Sequence, residues 1–341
     1  MPHQPVLQVY ILSYERPNFL RQSLLSVLQQ NIQKSRIEII VSDNSRTDNV
    51  SDMMRNEFAH IKLFRRIPSL SAHDHFRVIK SEITSKYTTL FHDDDIMHPD
   101  YCKVVLDILE SDPDVSAVAT NAFSIDINGD CFGLFNGIKS KISFSDKPTL
   151  LSNYVPGRSQ AAGVAPFPSY CYRKESLNIP EVPIAGKYTD VVVIGNALDF
   201  GKIIWLPAPL IYYRLHGQND SFKIDINAFL KLCRYMTNNG VTRVDPFFRY
   251  WRRMVWFRWY LQQKNIYQIN FFFLQRLPVP TSWKELQVHR ACVTLPYRRV
   301  NSVFQTIIRF SWVIIGSFSM RLGYCVYLFR LFRAQRATSR R

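Results

Sequence analysis

Leu90-Phe91-His92-Asp93-Asp94-Asp95-Ile96-Met97-His98-Pro99-Asp100-Tyr101 is the stretch whose reading decides the fold. Three consecutive carboxylates follow an apolar run, Tyr87 to Phe91, that reads as a buried strand. Pro99 then allows a helix to begin, with Val104, Val105, Ile108 and Leu109 inward over Pro99 to Glu110. Adjacent like charges beside a core are costly unless a cation neutralises them. Hard oxygen ligands at a strand end suit Mg2+ or Mn2+, with diphosphate oxygens completing the shell. A solvated acidic turn is the alternative for such a run in isolation. The strand before it and the helix after it favour a site, because α/β proteins bind ligands beyond the carboxyl ends of their strands.

Upstream, the same alternation recurs. Val6 to Leu12 reads as a buried strand, Ser13 to Arg16 as a turn, and Pro17 as the start of a helix presenting Leu20, Leu24, Val27 and Leu28 on one face. Ile37 to Val41 is a second strand that runs into Ser42-Asp43-Asn44-Ser45. A polar helix over Val50 to Phe58, a strand over Ile61 to Phe64 and a helix over Asp74 to Thr84 lead back to the acidic stretch. Downstream, Val115 to Ile125 is a strand, and Asp126 to Asn153 is a polar insert with Gly129, Gly133 and Gly137. Val155 to Tyr172 reads as a loop, and Thr189 to Leu198 as a helix with Thr189 as its cap. Ile203 to Leu206 and Leu210 to Arg214 read as two short strands. The pattern predicts an α/β fold with a mainly parallel sheet flanked by helices. Right-handed crossovers would bring the acidic turns at Asp43 and at Asp93 to Asp95 to one edge of that sheet.

No G-x-G-x-x-G or G-x-x-x-x-G-K-[ST] loop follows the early strands. A diphosphate would therefore rely on a metal held by the acidic turn. His73 and His75 flank Asp74, but no third ligand is identifiable, and both are read as structural.

Four stretches now share one pattern: Ile11 to Pro17, Glu38 to Asp48, Phe91 to Asp95 with Pro99, and Thr189-Asp190 followed by Tyr213-Arg214-Leu215-His216. In this order the chain resembles a nucleotide-sugar glycosyltransferase of the GT-A fold, glycosyltransferase family 2, over about residues 6 to 221. The resemblance implies a GT-A, Rossmann-like sheet and a metal-dependent, inverting transfer. It places Ser13, Tyr14, Glu15, Arg16, Asp43, Asp93 and Asp94 at the nucleotide. It places Asp95, Asp94 and His216 at a divalent metal, Mn2+ or Mg2+, and Arg214 at the diphosphate. Asp190 matches the base that deprotonates the acceptor hydroxyl. Two departures stand out. His92 occupies the place where the family often has a first Asp, so the metal-binding member of the cluster stays open. Thr189 stands where a second acid often precedes the base. Taken alone, Asp43 equally reads as a turn residue and Asp190 as an acid favoured by a helix N-terminus.

The chain has 341 residues and a net charge of +16. The last 97 residues, Asp245 to Arg341, hold 17 Lys+Arg and only two acids, Asp245 and Glu285, so nearly all of the excess charge lies there. Phe247 to Leu261 and Ser302 to Phe332 interleave Arg with Trp, Tyr and Phe. Such faces fit helices lying in an anionic membrane interface. Their apolar load argues against nucleic acid, whereas a helical dimerisation region that makes a homo-oligomer would bury the same aromatics. Six widely spaced cysteines suggest neither a zinc site nor a disulfide framework and fit a reducing cytosol. Met1 to Pro5 does not read as a signal peptide, and the longest apolar run, Phe310 to Met320, has 11 residues against the ~20 that a spanning helix needs.

The expected organisation is a GT-A catalytic domain at 1–221, with a nucleotide half at about 1–125 and an acceptor half at about 126–221. A helical, basic and aromatic membrane-associating region follows at 222–341. The expected activity moves a sugar, from a UDP-sugar above all, to a lipid-linked saccharide acceptor at the cytoplasmic membrane face, in cell-surface polysaccharide or glycolipid synthesis. The alternatives are a nucleotidyltransferase, whose Gly- and Lys/Arg-rich loop is absent here, and an inactive scaffold of this fold that binds membrane or nucleic acid.

Overall fold

The chain is described by a computed structural model over residues 5–155, 165–216, 225–242, 248, 249, 251, 252 and 255. It divides into two compact units, Met1–Arg243 and Val244–Arg341. In the second unit the Phe248 and Trp251 ring centroids are 6.1 Å apart, and the Arg252 guanidinium sits 6.0 Å over Phe248. Of the region expected to associate with membrane at 222–341, residues 225–242 are described and belong to the first unit, while the expected boundary at 221/222 and most of the sequence beyond 242 lie outside the described residues. Among the described residues no helix is long and apolar enough to cross a membrane.

The first unit begins with four strands, β1 (Leu7–Ser13), β2 (Ile37–Asp43), β3 (Lys62–Arg65) and β4 (Tyr87–His92). Helices α1 (Pro17–Leu28), α2 (Asn49–Glu57) and α3 (Ala72–Glu82) connect them. The pairs β1–β2, β1–β4 and β2–β3 are all parallel. Pro at the first turn of α1 sets its entry, and its apolar face buries Leu20, Leu24 and Val27 as the spacing predicts. Ser71 caps α3, accepting the Asp74 N–H, so that helix starts two residues before its expected position.

The chain continues through β5 (Ile96–Met97), α4 (Tyr101–Ser111), β6 (Val115–Ile125), β7 (Cys131–Leu134), β8 (Ile142–Phe144), α5 (Lys147–Ser152), β9 (Tyr170–Arg173), α6 (Thr189–Ala197), β10 (Lys202–Arg214) and α7 (Ile226–Asn238). One sheet takes the order β3-β2-β1-β4-β9-β6-β10-β5, with β7 on β6 and β8 on β10. Leu7, Val9 and Ile11 of β1 join residues of α1, α2 and α4 in one core. The intervening Gln8 and Tyr10 point to the opposite face, as strand alternation requires.

Three expectations need correction. The segment read as a loop from Val155 to Tyr172 ends in strand β9, which inserts antiparallel between β4 and β6. The two short strands at 203–206 and 210–214 are one strand, β10, running parallel to β6. Pro207 and Pro209 are tolerated because the register shifts between Leu206 and Ile211. Thr189 is not the cap of α6: Tyr188 holds that position, and the Thr189 hydroxyl donates to Gly186 O at 2.7 Å.

Two close approaches lock the half of the unit that carries Asp190. On α6, a Cβ at Gly195 would lie 2.5 Å from the Tyr235 hydroxyl and 3.4 Å from Leu151 Cδ2, so the absent side chain lets α5 and α7 approach. On β9, the buried Arg173 donates Nε to Val115 O at 2.6 Å and Nη2 to Leu109 O and Asp112 O at 2.5 and 2.8 Å. Its guanidinium also lies 5.4 Å over the Tyr87 ring. This one side chain ties β9 to α4, to the α4–β6 turn and to β4. Arg173→Met leaves three carbonyls without their charged donor, and its expected cost is about 2–4 kcal/mol. Urea unfolding checks it: the midpoint falls at unchanged slope, and an unchanged midpoint contradicts the bracing role.

Candidate active site

The parallel register aligns three strand ends. Ser13 stands opposite Asp43, and Leu12 opposite His92. Every residue just beyond β1, β2 and β4 therefore faces the same edge of the sheet. After β1 the chain turns through Glu15, at a φ of 58°. Its amide donates to Ser45 Oγ at 2.8 Å, and its carboxylate accepts the Arg46 and Thr47 amides at 2.7 and 3.2 Å. Glu15, expected at the nucleotide, thus fastens the loop after β1 to the loop after β2. Tyr14 is left 42% exposed beside it.

Asp43 is fully buried. One oxygen accepts the Ser45 amide at 2.9 Å, the turn role that an Asp after a strand ordinarily plays. The other has no hydrogen-bond partner and lies 3.8 Å from Arg65 Nε. Ser42 anchors the strand end from below. Its hydroxyl accepts from Arg66 Nε and Nη2 at 3.0 and 2.9 Å, so its own proton goes to His75 Nε2 at 2.7 Å. Burial lowers the His75 pKa to about 4, which keeps the ring neutral and able to accept. His73 is bound through Nε2 to Pro180 O at 3.0 Å. Both histidines are thus held by the scaffold.

The acidic turn is buried to a similar degree: Asp93 is 0%, Asp94 6% and Asp95 1% exposed. Asp93 accepts the Tyr14 amide at 2.9 Å and faces the β1 loop. Arg16 spans two members, with Nη2 2.6 Å from Asp93 Oδ1 and Nη1 2.6 Å from Asp94 Oδ2. His216 Nε2 is 2.9 Å from the same Asp94 oxygen. Asp95 Oδ1 accepts the Arg214 amide at 2.8 Å, whereas its Oδ2 is buried without a hydrogen-bond partner. Burial pushes Asp93 up to about 7, against the pull of Arg16. Burial and the charge of Asp94 raise Asp95 well above the usual carboxylate range. Burial acts to raise Asp94 too, but Arg16, His92 and His216 outweigh it and hold its pKa low.

Arg214, expected at the diphosphate, serves a different set of contacts here. Its side chain is buried and donates to Asp94 O, Asp126 O, Ile127 O and Gln22 Oε1 at 2.8, 3.1, 3.0 and 2.9 Å. It also lies 4.8 Å over the Phe19 ring, which packs 5.6 Å from His216. Arg214 therefore clamps the acidic turn between β10, α1 and the start of the β6–β7 connection.

His92, Asp94 and Asp95 each offer a ligand atom within 4.8 Å of the others. Two carboxylates and an imidazole, with one orphaned buried oxygen on Asp95, form a donor set suited to Mn2+ or Mg2+. Asp95 and Asp94, expected at the metal, belong to this group. His216 reaches it through Asp94. His92 was read as a substitution in the motif rather than as a ligand. The signal that could have found it was its place at the strand end, immediately before the carboxylates. Phe167 backs the His92 ring at 5.9 Å.

Asp190 opens the first turn of α6, and its Oδ1 is buried without a hydrogen-bond partner. Burial raises its pKa to about 6, with backbone amides and Lys187 opposing. It acts electrostatically on the buried phenols of Tyr154, Tyr170 and Tyr172. Tyr213 is raised first by burial and then by Asp95, Asp94 and Asp190, so one side chain of β10 lies within electrostatic reach of both Asp190 and the acidic turn. Tyr213 belongs to a stretch that carried the resemblance, whereas Tyr154, Tyr170 and Tyr172 were not singled out from the sequence, where they carry no motif.

Residues 8–156 match the family model described as glycosyl transferase family 2. No curated protein sequence matches the chain. Among solved structures, S. aureus TarS 1–349 in complex with UDP-GlcNAc is 12% identical at a TM-score of 0.53, over 84% of this chain and 87% of that one. The mannosyltransferase PcManGT from Pyrobaculum calidifontis, in complex with GDP-Man and Mn2+, is 12% identical at a TM-score of 0.53, over 94% of this chain and 83% of that one. Against a longer TarS structure the chain spans about half, 53%, of its length. At such identity the likeness is one of fold, and it agrees with the expected GT-A sheet. For the site itself, Asp95→Asn keeps an oxygen for the Arg214 amide while removing charge from the orphaned position. Its expected effect is a loss of Mn2+ affinity of at least about tenfold in calorimetry, and unchanged affinity contradicts the ligand assignment.

Proposed function

From a chain whose residues 8–156 match the glycosyl transferase family 2 model, we propose a metal-dependent, inverting transferase that moves a sugar from a nucleoside-diphosphate sugar to a saccharide acceptor. The observation that carries this reading is the convergence of buried, incompletely partnered carboxylates, Asp43 and Asp95, on one edge of the sheet, beside Arg16 and His216. The Asp43 oxygen that has no hydrogen-bond partner would accept an N–H from a base, and the exposed Tyr14 ring would pack against that base. Uracil, with one imide N–H, is the simplest partner for a single carboxylate oxygen, so the donor is read as a UDP-sugar. Ser13 and Asp93 line the adjoining ribose side. His92, Asp94 and Asp95 would hold a divalent cation, with His216 steadying Asp94. When bound, such a cation supplies positive charge against the diphosphate that leaves.

Asp190 is the base. It takes the proton of the acceptor hydroxyl as that oxygen attacks the anomeric carbon. A single displacement from the face opposite the diphosphate inverts the configuration there. Burial, which raises the Asp190 pKa, makes the carboxylate a stronger proton acceptor than an exposed one. Arg214 keeps the acidic turn in place, and the Arg214 contact expected with the diphosphate would be made from that clamped position. The basic, aromatic sequence beyond residue 245 would bring the enzyme to an anionic membrane surface where a lipid-linked acceptor resides.

Asp190→Asn retains UDP binding and loses transfer by about 10²–10⁴-fold, measured after a screen of nucleotide sugars has identified the donor. In the native enzyme kcat/KM falls as pH drops through about 6, because the folded-state pKa of Asp190 is raised and the base is protonated below it. Unchanged turnover in Asp190→Asn removes Asp190 from the mechanism.

A further inference from the structure

Arg16 occupies an unusual position for a salt-bridge residue. It stands at the N-cap of α1 but makes no side-chain cap bond. Instead it reaches back across two of three adjacent carboxylates, at 2.6 Å from each. Its side chain keeps 27% exposure, whereas Asp93 and Asp94 keep 0% and 7%. It therefore lies at the mouth of the cluster, between the buried charges and solvent. The same Nη1 is 3.3 Å from His216 Nε2, so two nitrogens crowd one oxygen of Asp94. That carboxylate also belongs to the His92–Asp94–Asp95 donor set.

These contacts conflict with a divalent cation. A double positive charge on Asp94 would repel a guanidinium bound to the same carboxylate, and the two would compete for its lone pairs. A nucleoside diphosphate would reverse the balance, because it brings negative charge to the cluster beside the partly exposed Arg16. Arg16 is suited to that exchange: its planar fork fits a carboxylate pair and phosphate oxygens equally well.

We propose that Arg16 is an exchangeable counter-ion: it neutralises Asp93 and Asp94 while the site is empty of donor, yields Asp94 to a divalent cation, and transfers to the diphosphate of the donor. This inference rests on the nucleotide-sugar reading of the site. It makes cation and donor binding cooperative, since each favours the arrangement in which Arg16 has left the carboxylates. A static brace would behave oppositely, because its removal would loosen the acidic turn and weaken the cation site.

Two affinities of the full chain separate these cases. Free Mn2+ is followed by electron paramagnetic resonance without nucleotide, and UDP binding by calorimetry at saturating Mn2+. In Arg16→Gln, Mn2+ binds about tenfold tighter and UDP about tenfold weaker, within the range usual for coupled sites. Arg16→Lys keeps the charge but cannot span both carboxylates, and it falls between the native chain and Arg16→Gln in both measurements. Arg21→Gln, which removes an exposed guanidinium on the same helix paired with Glu57, changes neither affinity and controls for net charge. Mn2+ binding that is equal or weaker in both Arg16 variants overturns the exchange and makes Arg16 a brace. Absence of Mn2+ and UDP binding in the native chain overturns the nucleotide-sugar reading itself, and the exchange with it.

Discussion

Three adjacent carboxylates are buried at the end of one strand, and the rest of the site follows from what that requires. Desolvation first, and then the charge of Asp94, raise Asp93 and Asp95 above the usual carboxylate range. The surrounding structure answers with directed donors rather than with solvent. The Tyr14 amide meets Asp93, Arg16 spans Asp93 and Asp94, His216 meets Asp94, and the Arg214 amide meets Asp95. These donors come from the two ends of the first unit, so the acidic turn is what joins β10 to the loop after β1. The compensation is weakest at the second oxygen of Asp95, which has no hydrogen-bond partner and lies 3.7 Å from His92 Nδ1, whereas Asp93 Oδ1 is met by Arg16 at 2.6 Å. That defect, next to His92 and Asp94, is the physical basis for assigning a cation to this position.

The sheet order explains how residues so far apart converge. Parallel pairing of β2, β1 and β4 brings their carboxyl ends level, which sets Asp43, Ser13 and His92 side by side. Strand β9 runs antiparallel between β4 and β6 and is fastened by Arg173. It widens the sheet by one strand and puts Tyr170 and Tyr172 within the field of Asp190. β10 then carries Tyr213 and Arg214 back past the acidic turn, and its pairing with β5 holds Ile96 and Met97 directly after Asp95. The strands before and after the acidic turn thus share one continuous sheet. Asp190 on α6 and the acidic turn after β4 are held by the same hydrogen-bonded frame.

Much of this was legible in the chain because β1, β2 and β4 are short apolar runs that end abruptly in polar turns. Their order and the acids that follow them identify the sheet edge without any tertiary information. Strand β9 was hidden for a local reason: Tyr170 to Arg173 is buried on both faces, so it shows no alternation, and it follows a Gly-, Ala- and Pro-rich segment. Strand β10 was split by Pro207 and Pro209, which a register shift accommodates. Arg214 carried a charge that invites a phosphate, and only the folded chain reveals backbone carbonyls at Asp94, Asp126 and Ile127 around it. His92 was visible as a departure from a motif, but its value as a ligand depends on the distance to Asp94 and Asp95. Sequence spacing reports which groups share a strand end; it does not report which oxygen is left unpaired.

The central claim is that the acidic turn and Asp43 together bind a nucleoside diphosphate with a divalent cation. Calorimetry of the full chain with UDP tests it most directly, in matched titrations with Mn2+ and with a chelator. The expected result is saturable binding in the presence of Mn2+ that disappears when the cation is removed. Binding that is indifferent to the chelator, or no binding of UDP or any other nucleoside diphosphate with Mn2+ present, would contradict it.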